Sequence, residues 1–527
     1  MLRVGAVLPF VALLGLALAA CTSSSAGGAA GTGGSAGSAG NGGAGGSEPP
    51  PPPLVSVPAT AAEAGLLEYY SDPSVMPTPL AATSTPLNTY LDPVRNGMHE
   101  DTTNSDVTNS PAPLGVEGSF TVVSHLMNAV LIACPTVLFT DDNDILTHCF
   151  TLGDGGTATT THLLDGDTLA ILDSVEQPLK ENMGDASGGG YLHKLVSGEL
   201  LIGPWDQTIR TYEVRETADG KQLHETSVID LNPSLSDDDH VTDVVVDYDG
   251  YTWFTASSGV IGIVDPDEQV FTYTLTEPLQ NQIAIDPTGV YLITHNNIWK
   301  FKVDALTDPQ NPIVEEWRTQ YDNTGGGVLS QGSGTTPTMF GANDEYVAIT
   351  DNSTPQLHLN VYFRATGTLA CQADVFPANQ GAVENSPVGY DNSIAIVNNF
   401  GWGGFLADPR LMQPGYEKVT VVPDAGSPTG VSCVKDWVNP TVTSATVPMM
   451  STQTGLIYMT SLKVAPDNVD DYGFYFVGID WITGQEVFAQ WVGNGSMFDA
   501  ALMLGAFNSD GEYIAPTRNG FYMISGQ

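Results

Sequence analysis

Basic residues are scarce in this chain: its 527 residues include 16 Lys and Arg against 60 Asp and Glu, a formal net charge of −44. Such a balance repels nucleic-acid phosphates and gives no basic grip on anionic lipid, so no nucleic-acid partner is expected. Cysteines are few as well. Of the five, none has zinc-site spacing and no C-x-x-C-H motif occurs, which argues against zinc or covalent haem on these thiols. No G-x-S-x-G elbow surrounds Ser386, so it is not read as a nucleophile. Past Glu117 there is almost no helical periodicity, which leaves an all-β chain.

The acidic residues are dispersed, as on a solvated surface suited to salty surroundings. Their densest group, Asp141, Asp142, Asn143 and Asp144 in "FTDDNDILTH", lacks the spaced ligands and closing Glu of an EF-hand and reads as a hairpin loop. Cys134 and Cys149 flank that hairpin and could face each other across it, which would leave Cys371 for Cys433. Four cysteines allow three connectivities, and all three stay open at this level.

The N-terminus carries an address. Met1, Leu2 and Arg3 precede an apolar run over 4–20, too short and wrongly flanked for a stable span, so residues 1–20 read as a signal peptide outside the fold. The run ends in Leu18-Ala19-Ala20-Cys21, which is similar to the lipobox of bacterial lipoproteins. That resemblance implies a diacylglycerol on Cys21. With Thr22 in place of Asp after it, it also implies sorting to the outer membrane of a Gram-negative cell, a contact made through the lipid alone. Residues 21–53 are Gly, Ala and Ser followed by five prolines, a composition that cannot bury apolar surface and reads as a tether with a stiff end. Residues 54–117, rich in Pro, Thr, Ser and Asn, read as an irregular arm lying over the domain.

Residues 118–527 carry a repeat in which an apolar strand, a polar turn and a second strand recur: "VVVDYDGYTWFTA", "IAIDPTGVYLITH", "TMFGANDEYVAITD", "PVGYDNSIAIVNN", "PMMSTQTGLIYMTS" and "MLGAFNSDGEYIAPT". Units around "TVLFTDDNDILTHC" and "YLHKLVSGELLIGPW" extend the series. Turn residues such as Asp249-Gly250 and Asp391-Asn392 tolerate the positive φ of tight hairpins. A spacing of roughly 40 to 60 residues matches a four-stranded blade, and one blade cannot bury both its faces. The expected architecture is a single β-propeller of about eight blades, with seven as the alternative, its last blade completed by a strand near "GSFTVVSH". Later phrases, best at Asp480, Thr483, Gly484 and Trp491, resemble the outer half of blades in quinoprotein-type propellers, a likeness that implies fold and little about activity. Trp253, Trp299, Trp437 and Trp491 are expected to pack between sheets.

In propellers the residues just before each innermost strand converge on one mouth of the channel. Here they are His193, Asp243, Gln282, Thr336, Glu384, Asn385 and Asp499, a default ligand-site hypothesis. Glu384 and Asn385 rank first, because a Glu beside a narrow channel is costly unless it meets a cation, a proton or a donor. Three functions fit. A tethered, non-enzymatic propeller, expected as a monomer, would bind a small molecule or protein at the mouth. Its layout resembles the barrel-assembly propeller lipoprotein of Gram-negative bacteria, with a longer linker and extra disulfides. A calcium-dependent hydrolase or lactonase would use Glu384, Asn385 and Asp351 on one channel ion. A quinone (PQQ) dehydrogenase is invited by the blade resemblance, but the adjacent cysteine pair of many alcohol-oxidising members is absent. The binding propeller is the expectation carried forward.

Overall fold

The computed structural model describes residues 60–115, 120–127, 129–153, 156–177, 190–325, 327–329, 332–468 and 470–526. The signal peptide, Cys21 and the tether lie outside the described residues. Among the described residues the chain forms eight sheets of at least four antiparallel strands and only three short 3-10 turns. It is an eight-bladed β-propeller, and the seven-blade alternative falls.

In chain order the blades are blade 1 (131–177), blade 2 (192–230), blade 3 (241–274), blade 4 (284–320), blade 5 (338–375), blade 6 (388–439), blade 7 (449–494) and blade 8 (506–525). Each recurrent phrase forms the innermost strand, first turn and second strand of one blade. At the turns Asp344 and Asp391 adopt φ of 58° and 50°, the left-handed conformation that short polar side chains tolerate. Blade 8 takes its outermost strand from the other end of the chain, Thr121–Leu126 pairing with Gly520–Ser525 from Thr121↔Ser525 to Leu126↔Gly520. The expected closing strand is therefore in place.

Blade faces pack on one another through the alternating side chains of short strands. At the closing seam the Phe476 ring of blade 7 lies 4.6 Å from Tyr513 of blade 8, and Tyr458 meets Phe507 edge-on at 4.9 Å. On its other face blade 8 sets Ile514 and Phe521 against Ile132, Ile145 and Leu164 of blade 1. Trp253, Trp299 and Trp437 are buried and Trp491 is packed against a core cluster, as expected of packing aromatics. Cys134 is bonded to Cys149 within blade 1, and Cys371 to Cys433, which joins the outermost strands of blades 5 and 6. The quinoprotein-like phrase acts as a blade joint. Asp480 Oδ1 accepts the Thr483 N–H and hydroxyl, and Gly484, at φ 73°, lies so close to Trp437 of blade 6 that a Cβ would sit 2.4 Å from the indole. The Trp437 indole N–H then donates to Trp481 O at 3.0 Å.

The arm departs from expectation. Its first part does wrap the outside: Tyr69–Ser71 adds a strand to the outer edge of blade 7, and Leu80 N–H donates to Thr452 O. Residues 92–110 instead enter the axis, and the reading of the whole arm as lying over the domain is corrected for them. The chain enters at the rim where the innermost strands end in their first turns, through the bridge Leu91↔Leu195, and leaves by the same rim as Val107–Thr108 runs parallel to Met449–Ser451. In between, Asn96 O accepts from Lys194 N of blade 2. Thr102, Thr103, Ser105 and Asp106 then offer their carbonyls in turn to Ile285, Met339, Gly389 and Met450 of blades 4, 5, 6 and 7.

The physical reason is the inner edge itself. Each innermost strand presents unpaired backbone groups toward the axis, and these need partners once water is displaced. The plug supplies carbonyls at the required angles by placing Glu100, Asn104 and Asp106 at φ 72°, 54° and 57°. Left-handed backbone at non-glycine residues is held only where its surroundings over-determine it. Asp101 does much of this, accepting from Thr103 N (2.9 Å), Thr103 Oγ1 (2.7 Å), Ser105 N (3.3 Å) and Ser105 Oγ (2.8 Å). Asp101→Ala is expected to lower the unfolding free energy by about 2–4 kcal/mol, because it strands several buried donors at once. Urea melts followed by tryptophan fluorescence check this; a change under about 0.5 kcal/mol, the range of ordinary surface substitutions, would show that the plug is not integral to the fold.

Candidate functional site

Gln282, Thr336, Glu384, Asn385 and Asp499 precede their innermost strands at the opposite rim, the start rim, whereas His193 and Asp243, expected there too, lie within the innermost strands Leu192–Lys194 and Val241–Val246. His193, Asp243 and Gln282 come together: His193 Nε2 is 3.2 Å from Gln282 Nε2 and 3.5 Å from Asp243 Oδ1. Asp243 also joins blades 3 and 4, its Oδ2 accepting from Ile283 N at 2.8 Å. Gly97 of the plug packs onto this trio so closely that a Cβ would lie 2.9 Å from His193 Cε1 and 3.3 Å from Gln282 Nε2.

Thr336 belongs to a second group. His99 of the plug sets Nδ1 2.8 Å from Asp106 Oδ1, and its Nε2 lies 3.3 Å from Thr336 Oγ1 and 3.4 Å from Ser386 Oγ. Serine, histidine and aspartate here follow the order used in nucleophilic catalysis. All three are buried, however, and Ser386 Oγ accepts the Thr336 N–H at 3.1 Å, so the relay fastens the plug to blades 5 and 6. Arg95 anchors the other side: its Nε donates to Val137 O of blade 1 at 2.9 Å and its Nη1 is paired with Glu100. Burial pushes the Glu100, Asp101 and Asp106 carboxyls above the usual range, with Arg95, the Thr103 hydroxyl and His99 respectively pulling each part of the way back.

The remaining candidates do not converge. Asn385 donates to Thr446 O at 3.1 Å and so joins blade 6 to the segment before blade 7. Glu384 accepts from Val328 N, while its own N–H goes to Asn399 Oδ1 at 2.7 Å. Asp351 accepts from Ser353 N and His358 N, both at 3.0 Å, and its Oδ2 is 2.7 Å from His358 Nδ1. Glu384, Asn385 and Asp351 thus face different partners. Among the described residues no group of three His, Cys, Asp or Glu is placed to hold a metal ion. Asp142 and Asp144 of the acidic hairpin share Lys221 Nζ, at 3.0 and 2.6 Å.

Asp499 stands apart with a residue that sequence reasoning missed, Arg518. Arg518 N donates to Asp499 O at 2.8 Å, which brings both buried side chains to the start rim of blade 8. Burial pushes the Asp499 carboxyl up to about 6, with the Arg518 charge and the Ala501 N–H pulling against it. The plug residues His99 and Asp106 were missed too. A signal for them was present in "RNGMHEDTTNSD", residues 95–106, which places an Arg and a His among acids and amides in a chain with few bases.

Above the polar layer, loops from four blades pack an apolar cluster: Trp402 and Met412 with Ala445 and Ala501, joined by Leu329, Phe405 and Leu502. Around it Val328, Phe400, Leu406 and Leu411 are exposed. The channel is therefore occupied from one side by the plug and topped on the other by hydrophobic loops.

No family model matches the chain. It is similar to an uncharacterized protein of Archaeoglobus fulgidus, 24% identical over 295 residues, which cover 48% of this chain and 55% of that protein. The chain thus spans about half the length of the curated relative it matches. Among solved structures it is similar to Sqt1 from Chaetomium thermophilum (11% identity, TM-score 0.43, 77% of this chain and 97% of that one). It is also similar to the Dos1 propeller (8% identity, TM-score 0.41, 77% and 94%).

The Asp499 shift has a definite pH sign. Its folded pKa lies above the ordinary aspartate value of 3.8, so the folded state holds a proton that the unfolded state has released, and stability falls as pH rises from about 4 through 6. Asp499→Asn removes that loss. The variant is expected to gain about 3 kcal/mol over the parent at pH 7.5 and close to nothing at pH 4. Denaturant melts at the two pH values check it; an equal difference at both would show that Asp499 does not titrate in this window.

Proposed function

We propose that this chain is a non-enzymatic binding propeller, lipid-tethered through Cys21 to the outer membrane, that takes a basic protein segment across its start rim. The observation supporting it is the occupation of the axis by residues 92–110. With the inner polar groups bonded to the plug and to neighbouring blades, the ring offers its rim surface rather than a channel. Val328, Phe400, Leu406 and Leu411 are exposed on that rim, where apolar side chains beside polar ones suit a protein contact.

Charge selects the partner. The loops bearing these side chains carry Asp322 and Asp408, a loop of blade 7 adds Asp467, Asp470 and Asp471, and the base Arg410 is already paired with Asp408 and Asp470. A second copy of this chain, at −44, is repelled, while a Lys- or Arg-bearing amphipathic segment is steered in. Calcium hydrolysis is not the reading favoured, since Asp351 is committed to His358 and two backbone N–H groups.

A synthetic amphipathic peptide of Lys and Leu, titrated by fluorescence anisotropy, tests this. Leu406→Asp combined with Leu411→Asp is expected to weaken binding about tenfold despite the added negative charge, which isolates the apolar contact. Leu306→Asp, at a fully exposed turn on the opposite rim, is expected to leave it unchanged. Equal effects at the two rims, or no effect at either, would overturn the assignment.

A further inference from the structure

Arg518 is anomalous in this molecule. Every other described Lys and Arg takes part in an ion pair. Among the described residues Arg518 has no such pair, although only 7% of its surface is exposed, and no nitrogen of its guanidinium has a hydrogen-bond partner there. Nε is fully enclosed, so what accessible surface the guanidinium retains lies at its terminal nitrogens. A guanidinium withdrawn from water without acceptors is costly, and in a chain with 60 carboxylates its isolation is not for lack of acids. Asp499 is tied to it through the backbone, yet its carboxyl lies beyond ion-pair reach and is itself buried. Two opposite charges are thus fixed beside each other at the start rim without neutralising each other. Tyr472 is close enough to feel both charges, and its ring lies under Arg410, 5.4 Å from the guanidinium carbon.

We infer that Arg518 and Asp499 form a binding site for a carboxylate that carries an N–H donor on the adjacent carbon. The ligand's carboxylate takes the planar fork of Arg518, and its ammonium or amide N–H is accepted by Asp499. A phosphate fits poorly, because its second charge would set it against the Asp499 carboxyl. A simple cation would leave Arg518 unanswered. The same chemistry comes from two sources, a free α-amino acid and the C-terminal residue of a polypeptide. The site goes beyond the proposed rim contact, and neither depends on the other: the Lys–Leu peptide reads Leu406 and Leu411, whereas the present site is read by small carboxylates.

The test uses the full exported chain and four probes, L-alanine, N-acetyl-L-alanine, L-alaninamide and acetate, titrated by calorimetry at pH 7. L-alanine or N-acetyl-L-alanine is expected to bind at least about tenfold more tightly than L-alaninamide, which lacks the carboxylate, and than acetate, which lacks the donor. Preference for L-alanine identifies the free amino acid as the source, and preference for the acetylated form identifies a chain terminus. Arg518→Gln is expected to weaken the preferred probe at least about tenfold, and Asp499→Asn to remove its advantage over acetate. Should Arg518→Gln fail to fold, Arg518→Lys and the probe ranking on the unaltered chain carry the same decision. No binding of L-alanine or N-acetyl-L-alanine at about 10 mM, roughly −2.7 kcal/mol, would overturn the assignment. So would equal binding of L-alaninamide, or an affinity untouched by Arg518→Gln.

Discussion

A ring of eight sheets creates a problem at its own centre. The innermost strand of every blade turns a row of N–H and C=O groups toward the axis, and a β-edge left unpaired away from water is unfavourable. This chain meets the constraint with its own backbone. Residues 102–106 circle the axis and offer one carbonyl each to blades 4, 5, 6 and 7, apart from Asn104, whose side-chain amide donates to Ile283 O and Pro337 O. Asn96 serves blade 2, and Arg95 reaches blade 1. The plug is thus an integral strut that touches most of the ring.

The same segment settles what the channel-lining side chains do. Asp243 and Asn385 bond to backbone of the next blade and Ser386 to backbone of the preceding one, and His193, Gln282 and Thr336 are covered by Gly97 and His99. Polar groups that converge on an axis resemble a ligand site from any viewpoint that omits the plug. With the plug in place they form a joint between blades, in which His193 Nδ1, Gln282 Oε1 and Asn385 Oδ1 are buried without a hydrogen-bond partner among the described residues. Away from that joint the groups that stand out are Arg518 with Asp499, and the apolar loops around Trp402.

Closure is reinforced at several radii. At the outside, Cys371–Cys433 joins blades 5 and 6, and Tyr69–Ser71 caps the edge of blade 7. At the seam, Thr121–Leu126 makes blade 8 a composite of both chain ends, so the ring cannot open without breaking that strand pairing. Rigid blades with variable rim loops are the arrangement in which binding is built on connections rather than on the scaffold.

Much of the architecture was legible in the sequence because it is local. Strand alternation, hairpin turn residues at Asp344 and Asp391, and a repeat of blade length are each properties of a few neighbouring residues, and together they determined an all-β ring closed by residues 121–126. The disulfide partners Cys134 and Cys149 were suggested by the hairpin between them. Tertiary structure alone decided that residues 92–110 run through the axis, because the carbonyls they supply answer N–H groups some 100 to 340 residues away and leave no periodic trace. It also decided that Arg518 stands buried beside Asp499. No spacing in the chain records whether a base has found an acid, since that depends on where two distant loops place their side chains in a medium that no longer screens them.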